Sequence, residues 1–363
     1  MHCIGGTPRP KSGFIAKPDF GVFFAKYLYL SSYVNWCPMI LILTEPSDTH
    51  SDFVIEKLKN RGADFLRFNP EDFPSRSSVS IGYAANGQMR STLGWNGSSI
   101  DLNTIRSVWM RRPGLPVADD RIQDETVREF VAGECQGYLR DVWNTLDAFW
   151  LPAPPAVLLR AGLKMSQLRI ASDLEFELPP TLVTNSPDAF LDFYQQNNGQ
   201  IISKLVGNSF QRAAGNTFVR YTEFVSHRNI GYASVVQHCP VILQAYVPKR
   251  LELRITVVGQ QVFAAEIHSQ HTHHTRYDWR RYDYDQTPHF EHELPAEIAS
   301  QCVRLVERLN LQYGAIDMIL TPDGRYVFIE INPNGQYLWI EQKTGLPISD
   351  AICDLLISGS KEN

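Results

Sequence analysis

The sequence predicts an α/β protein with more than one folding unit, and three observations carry that prediction. The apolar run Ile40-Leu41-Ile42-Leu43-Thr44 opens a strand–helix–strand unit. The segment Leu151-Pro152-Ala153-Pro154-Pro155 is a break through which neither a helix nor a sheet ladder can continue. From Val241 the texture turns to β, with runs at Val241–Tyr246, Leu251–Val258 and Gln261–His268. At roughly 150 residues per domain, 363 residues suggest two to three units.

Taken in order, Glu45-Pro46-Ser47-Asp48 ends the first strand. Ser51 or Asp52 is expected to cap a helix that runs through Arg61, with Phe53, Ile55 and Leu58 on its apolar side. Ala63–Phe68 then returns as a strand, and Val79–Tyr83, Gln88–Leu93 and Ser107–Met110 read as further strands. Asp119–Asp120 is expected to start a long helix ending near Leu146, because Ile122, Val127, Phe130, Val131, Tyr138, Leu139 and Val142 recur at helical spacing. Beyond the proline break come a helix containing Lys164 and a strand–helix–strand unit ending at Lys204. Leu205–Thr217, with Gly207, Ser209, Gly215 and Asn216, reads as a polar loop whose backbone N–H groups suit phosphate. A histidine-rich polar stretch follows from Ser269 to about Glu293, then a helix over Pro295–Asn310 and a last helix after Pro347. The strand pattern begins at Met39, so residues 1–38 are expected to be an N-terminal extension, either an over-extended gene model or a poorly ordered tail.

Composition excludes several classes. Hydrophobic residues make up 44% and charged residues 20%, as in a globular protein. A net charge of −5 leaves no basic surplus for a phosphate backbone, so nucleic acid is not the expected partner. Six cysteines without a CxxC pair argue against a zinc ribbon or a disulfide framework, and a reducing cytoplasm is the expected setting. No apolar run approaches the roughly 18 residues of a membrane span.

The most informative segment runs from Gly314-Ala315-Ile316-Asp317-Met318 to Ile329-Glu330-Ile331-Asn332, folded about Pro322-Asp323-Gly324. Each strand carries an acid where a core side chain is expected. Alternation puts Glu330 and Asn332 on one face, with Asp317 roughly opposite. Buried carboxylates need a cation or hydrogen-bond partners, and an all-oxygen set with room for phosphate suits Mg²⁺.

That hairpin resembles the metal-binding end of the ATP-grasp ligases, and the resemblance extends over most of the chain from Met39. It implies residues 39–150 as a Rossmann-like N-terminal (pre-ATP-grasp) subdomain, 151–247 as a central lid and 248–358 as a C-terminal subdomain, with ATP held between the last two. It implies Asp317, Glu330 and Asn332 as Mg²⁺ ligands, and Lys164 and Lys204 as phosphate-binding lysines. Gln244, Ala245, Tyr246 and Val247 correspond to the hinge that pairs with adenine. Many members have an acid near Gln244–Ala245, which this chain lacks. Glu252 matches the ribose-binding position and Arg254 the arginine facing the γ-phosphate and later the acyl phosphate.

Three finer features, Trp109-Met110-Arg111-Arg112-Pro113, Pro248-Lys249 leading directly into Leu251–Gly259, and Ile267-His268-Ser269-Gln270 before Asp278-Trp279-Arg280, are similar to the microviridin-type peptide ligases, the graspetide maturases. Those enzymes join Asp or Glu side chains of a precursor peptide, made of leader plus core, to Ser/Thr hydroxyls or Lys amines, giving lactones or lactams. The resemblance implies that Asp278 and Arg280 face the core peptide. Arg280 would orient the substrate carboxylate and Asp278 would accept the nucleophile's proton. Dimers are common among related ligases, so a homodimer is an expectation. Arg111-Arg112 reads either as a holder of a substrate acid or as an interdomain salt bridge. His268, His271, His273 and His274 lack a fixed metal-binding framework and are expected in a substrate-facing loop. A ligase adding an amino acid to a protein or cofactor terminus, a small-molecule ligase, or an inactive ATP-grasp scaffold would share the same core motifs.

Overall fold

The computed structural model describes residues 39–359 except 96, 208–209, 214–215, 220 and 272–286. The expected extension (1–38), Asp278, Arg280, His273 and His274 lie outside the described residues.

The chain opens with β1 (Met39–Leu43), α1 (Thr49–Asn60) and β2 (Phe65–Phe68). Asp48, not Ser51 or Asp52, caps α1. Its carboxylate accepts from Ser51 N at 3.2 Å and from Thr44 Oγ1 at 2.8 Å, while Ser51 Oγ donates to Asp48 O. β3 (Ser77–Tyr83), β4 (Met89–Trp95) and β5 (Ser98–Asp101) form a separate antiparallel sheet. Then come β6 (Ile105–Met110), α2 (Glu125–Asn144) and β7 (Phe149–Leu151). α1 thus starts earlier than expected, and α2 starts later. Asp124 caps α2 by accepting from Val127 N, whereas Asp119 is engaged by Arg121 through two bonds of 2.8 Å and stays in the loop. The parallel sheet has the order β2-β1-β6-β7, and Leu41, Leu43, Phe68, Val108, Leu139, Val142 and Trp143 fill its core with α2.

The middle of the chain comprises α3 (Pro155–Ala161), α4 (Lys164–Asp173), β8 (Thr181–Thr184), α5 (Pro187–Gln196), β9 (Ile201–Lys204), β10 (Phe210–Ala213), β11 (Asn216–Val219), β12 (Glu223–Phe224), α6 (His227–Ile230) and β13 (Val241–Ala245). An antiparallel sheet of order β12-β9-β13-β8 packs on α5 through Phe190, Ile201, Val225 and Leu243. The expected loop after Lys204 is instead a β10–β11 hairpin with Phe210 opposite Val219. Phe210, Thr217, Phe218 and Val219 favour strand enough to form a ladder, and Ser209 and Gly215 lie outside the described residues. α3 and α4 belong to the next core, where Ala161 and Ala171 pack with Leu253, Ile255, Cys302 and Ile316.

That core underlies β14 (Leu251–Val258), β15 (Gln261–Ile267), β16 (His289–Glu291), α7 (Ala296–Arg308), β17 (Tyr313–Leu320) and β18 (Tyr326–Asn332). The antiparallel order is β16-β15-β14-β17-β18. Part of the expected polar loop is therefore strand, at β16. The β17–β18 turn needs Gly324, whose φ of 87° is in the left-handed region. α8 (Leu338–Thr344) and α9 (Ile348–Ser358) complete the chain. α9 packs back on α1 and β1 through Ile348, Ile352 and Leu356, and its Asp350 pairs with Lys57 and Arg61. No helix among the described residues is long and apolar enough to cross a membrane.

Candidate active site

Three adjacent strands place the hairpin acids. Arg254 on β14 stands opposite Asp317 on β17, and Asp317 opposite Glu330 on β18. Asn332 pairs with Ala315, two residues along. The register shifts just after Asp317, where β18 has one residue more than its partner. Charge and geometry agree. Arg254 Nη1 donates to both Asp317 oxygens at 2.7 and 2.9 Å, and Asn332 Nδ2 donates to Asp317 Oδ2 at 3.2 Å. Arg254 is buried, and burial pulls its pKa down. The Asp317 carboxylate outweighs that, with Tyr313 and Glu330 adding to it, so the pKa ends above its ordinary value. Burial pushes the neighbouring Tyr313 hydroxyl up to about 12.

The lysines approach the same row. Lys164 begins α4, and its Nζ lies 3.6 Å from Glu330 Oε2 and donates to Leu205 O at 3.2 Å. Lys204 ends β9, and its Nζ donates to Gln244 Oε1 at 2.8 Å; Gln244 Nε2 in turn donates to Thr181 Oγ1. Lys204 borders an open cleft of about 580 Å³. Lys204, Gln244 and Tyr246 line one side, and Glu252, Asp317 and Glu330 the other. Ala245 and Val247 also face it. The N–H groups of Ala245 and Tyr246 donate to Pro180 O and Gln200 O, which ties this segment to its sheet.

Three residues to which the sequence assigned no role, Lys249, Ser269 and Gln167, hold this arrangement. Lys249 Nζ donates to Glu252 Oε1 at 2.8 Å, and Ser269 Oγ reaches the same oxygen at 2.8 Å. The available signal for Lys249 was a cation just ahead of a strand that carries the expected ribose acid. Gln167 on α4 is buried; its Nε2 donates to Ala161 O and Ile331 O, and its Oε1 accepts from Ile331 N. It fixes α4, and so Lys164, against β18.

Of the remaining candidates, Arg111 is 1% exposed with Nε 3.5 Å from Asp48 Oδ2, and Arg112 is exposed. Arg111 is therefore an internal ion pair and not an open receiver for a substrate acid. His268 and His292 bind the two oxygens of Glu266 at 2.8 Å each. Burial works to raise the Glu266 pKa, and hydrogen bonds from His292 and His268 hold it below the ordinary value. No cluster of three His, Cys, Asp or Glu among the described residues is arranged for a metal. The hairpin set is two carboxylates and an amide, the hard donor set that Mg²⁺ takes.

A family model described as the MvdD pre-ATP grasp domain matches residues 39–157. No curated protein matches the chain. Among solved structures, macrocyclase MdnC from Microcystis aeruginosa MRC, bound with precursor peptide MdnA, is 31% identical with a TM-score of 0.77, covering 88% of this chain and 99% of that one. The Chryseobacterium gregarium RiPP-associated ATP-grasp ligase, in complex with ADP and a leader and core peptide, is 31% identical with a TM-score of 0.82, over 88% and 96% of the two chains. Macrocyclase MdnB from Microcystis aeruginosa MRC is 34% identical with a TM-score of 0.73, over 88% and 99%. The fold and its cleft define an ATP-grasp ligase. The chain belongs to the RiPP-maturing ATP-grasp ligases, the family of the microviridin-type macrocyclases.

Proposed function

We propose that this chain is an ADP-forming peptide ligase. It activates Asp or Glu side-chain carboxylates of a precursor peptide, leader plus core, as acyl phosphates and joins them to Ser/Thr hydroxyls or Lys amines of the same peptide. The observation that carries this reading is the row Arg254–Asp317–Glu330, held in register, with Asp317 and Glu330 lining a cleft that Lys204 also lines.

The residues present fit Mg²⁺, because Asp317, Glu330 and Asn332 bring oxygen donors to one sheet edge beside the cleft and no sulfur or imidazole. When bound, the ion offsets charge on the nucleotide phosphates. The protein's own part is positioning and charge. Lys164 and Lys204 approach the phosphates from α4 and β9, and Arg254 stands where negative charge grows on the transferred phosphoryl group. Gln244, Ala245, Tyr246 and Val247 flank the adenine, and Glu252 receives ribose hydroxyls. The substrate carboxylate attacks the γ-phosphorus, and ADP leaves. The hydroxyl or amine then attacks the acyl carbon, its proton passes to Asp278, and phosphate departs, while Arg280 orients the carboxylate. Closure of the sheet β12-β9-β13-β8 over the C-terminal sheet keeps out water that would hydrolyse the acyl phosphate, while α3 and α4 stay with the C-terminal core. Residence in the cytoplasm and assembly as a homodimer complete the reading.

The test is incubation with a candidate precursor peptide, ATP and Mg²⁺. Loss of one water mass per bond supports cyclisation, and gain of a residue mass would replace this reading with amino-acid ligation. Arg280→Ala should retain ATP binding and lose ring formation; unchanged ring formation rejects its role.

A further inference from the structure

The loop leaving β18 is gripped from two directions. Asn334, two residues beyond Asn332, donates through Nδ2 to Met110 O at 2.9 Å and to Arg111 O, the two carbonyls at the carboxyl end of β6. Arg111 faces back, with Nη1 3.5 Å from Asn334 O and Nε 3.5 Å from Asp48 Oδ2 at the start of α1. Arg111 and Asp48 are both buried. On the other side Tyr313 OH donates to Gly335 O at 2.8 Å, and Arg254 Nη2 to Gln336 O at 3.1 Å. The loop has no slack there, since a Cβ on Gly335 would stand 2.5 Å from Ala315 Cβ and 3.0 Å from Arg254 Nη2.

Arg254 and Asn332, which bracket this loop, both hold Asp317. The anchoring point is also distinctive. In the parallel order β2-β1-β6-β7, β1 has β2 on one side and β6 on the other, so the carboxyl ends of β1 and β6 flank the topological switch point. Asp48 and Arg111 occupy it. A buried ion pair adds little net stability, and its use here is geometric.

We infer that Asn334, backed by Arg111, is a positioning residue through which the N-terminal parallel sheet sets the geometry of the metal-binding end of β18. Asn334 touches neither nucleotide nor peptide in this assignment; it acts through Asn332 and through the Arg254–Asp317 pair. The inference rests on the ligase reading above. Partners one shell out from a metal change its affinity by about 10–100-fold when removed.

The experiment is calorimetric ADP binding with and without Mg²⁺ for the wild type, Asn334→Ala and Arg111→Lys. In Asn334→Ala, Mg²⁺-free ADP affinity should stay within about twofold, while the Mg²⁺ concentration that half-maximally tightens ADP rises about tenfold. Arg111→Lys keeps a cation beside Asp48 and should show a smaller shift in the same direction; it carries the test if Asn334→Ala does not fold. A folded variant with the wild-type Mg²⁺ response overturns the inference. So does equal weakening with and without Mg²⁺, which marks general damage. A wild type that binds no ADP removes the ligase reading, and this inference with it.

Discussion

On the C-terminal wall of the cleft, charged groups answer one another across adjacent strands. Arg254 holds both oxygens of Asp317, Asn332 adds a third contact, and Lys164 stands 3.6 Å from Glu330. On the lid wall, the neutral amide oxygen of Gln244 holds Lys204. The first wall rests on a large apolar core that includes Ile255, Ile316, Met318 and Phe328; the second rests on the smaller cluster around Phe190, Ile201 and Leu243. Stability and function are therefore coupled in the hairpin and separable at the lid.

The largest expected effect breaks the hairpin. Asp317→Ala strands the buried Arg254 guanidinium and should destabilise the protein by about 3–5 kcal/mol in urea unfolding, with ADP release abolished. A wild-type midpoint would contradict the coupling. At the lid, Lys204→Met should lower kcat for ADP release by about 10²–10³, roughly the effect of losing one donor to developing charge. Its unfolding free energy should stay within about 0.5 kcal/mol of wild type. A parallel fall in stability would erase the contrast between the walls.

The coupling sharpens at Gln167, which satisfies both backbone groups of Ile331. Gln167→Ala leaves buried polar groups without partners and should cost about 1–3 kcal/mol in thermal or urea unfolding.

Near neutral pH, the smallest effect is a pH dependence outside the cleft. Burial, then Arg111, pushes the pKa of His50 down to about 3 from 6.5; Asp48 opposes this and Arg112 adds to it. The unfolded chain takes up a proton near 6.5 and the folded chain does so only near 3. The contribution of neutral His50 is thus complete above 6.5 and is lost as pH falls toward 3, at roughly 1.4 kcal/mol per unit. His50→Gln should flatten that slope, as read from urea midpoints at a series of pH values.

Much of this was legible in the sequence for a physical reason. Asp317 and Glu330 interrupt strands that are otherwise apolar, and such acids are costly unless a site needs them. The strand–helix–strand opening and the proline break were equally visible. Helix starts were not. Several residues near Asp48 and Asp124 can cap, and the choice fell to side chains a few positions away, Thr44 for Asp48 and Arg121 for Asp119. β5 and β7 are too short, at four and three residues, to show a period. The supports of the site were hidden for a third reason. Gln167–Ile331 and Asn334–Met110 join residues 164 and 224 positions apart, and no local pattern records such a contact.

The central claim, that this cleft turns a peptide carboxylate into an acyl phosphate, is tested most directly by following oxygen. A precursor peptide whose Asp and Glu side chains carry heavy oxygen is incubated with the enzyme, ATP and Mg²⁺, and the released phosphate is weighed by mass spectrometry. An acyl phosphate intermediate leaves one heavy oxygen atom in phosphate for each bond formed. Bond formation with unlabelled phosphate would contradict it.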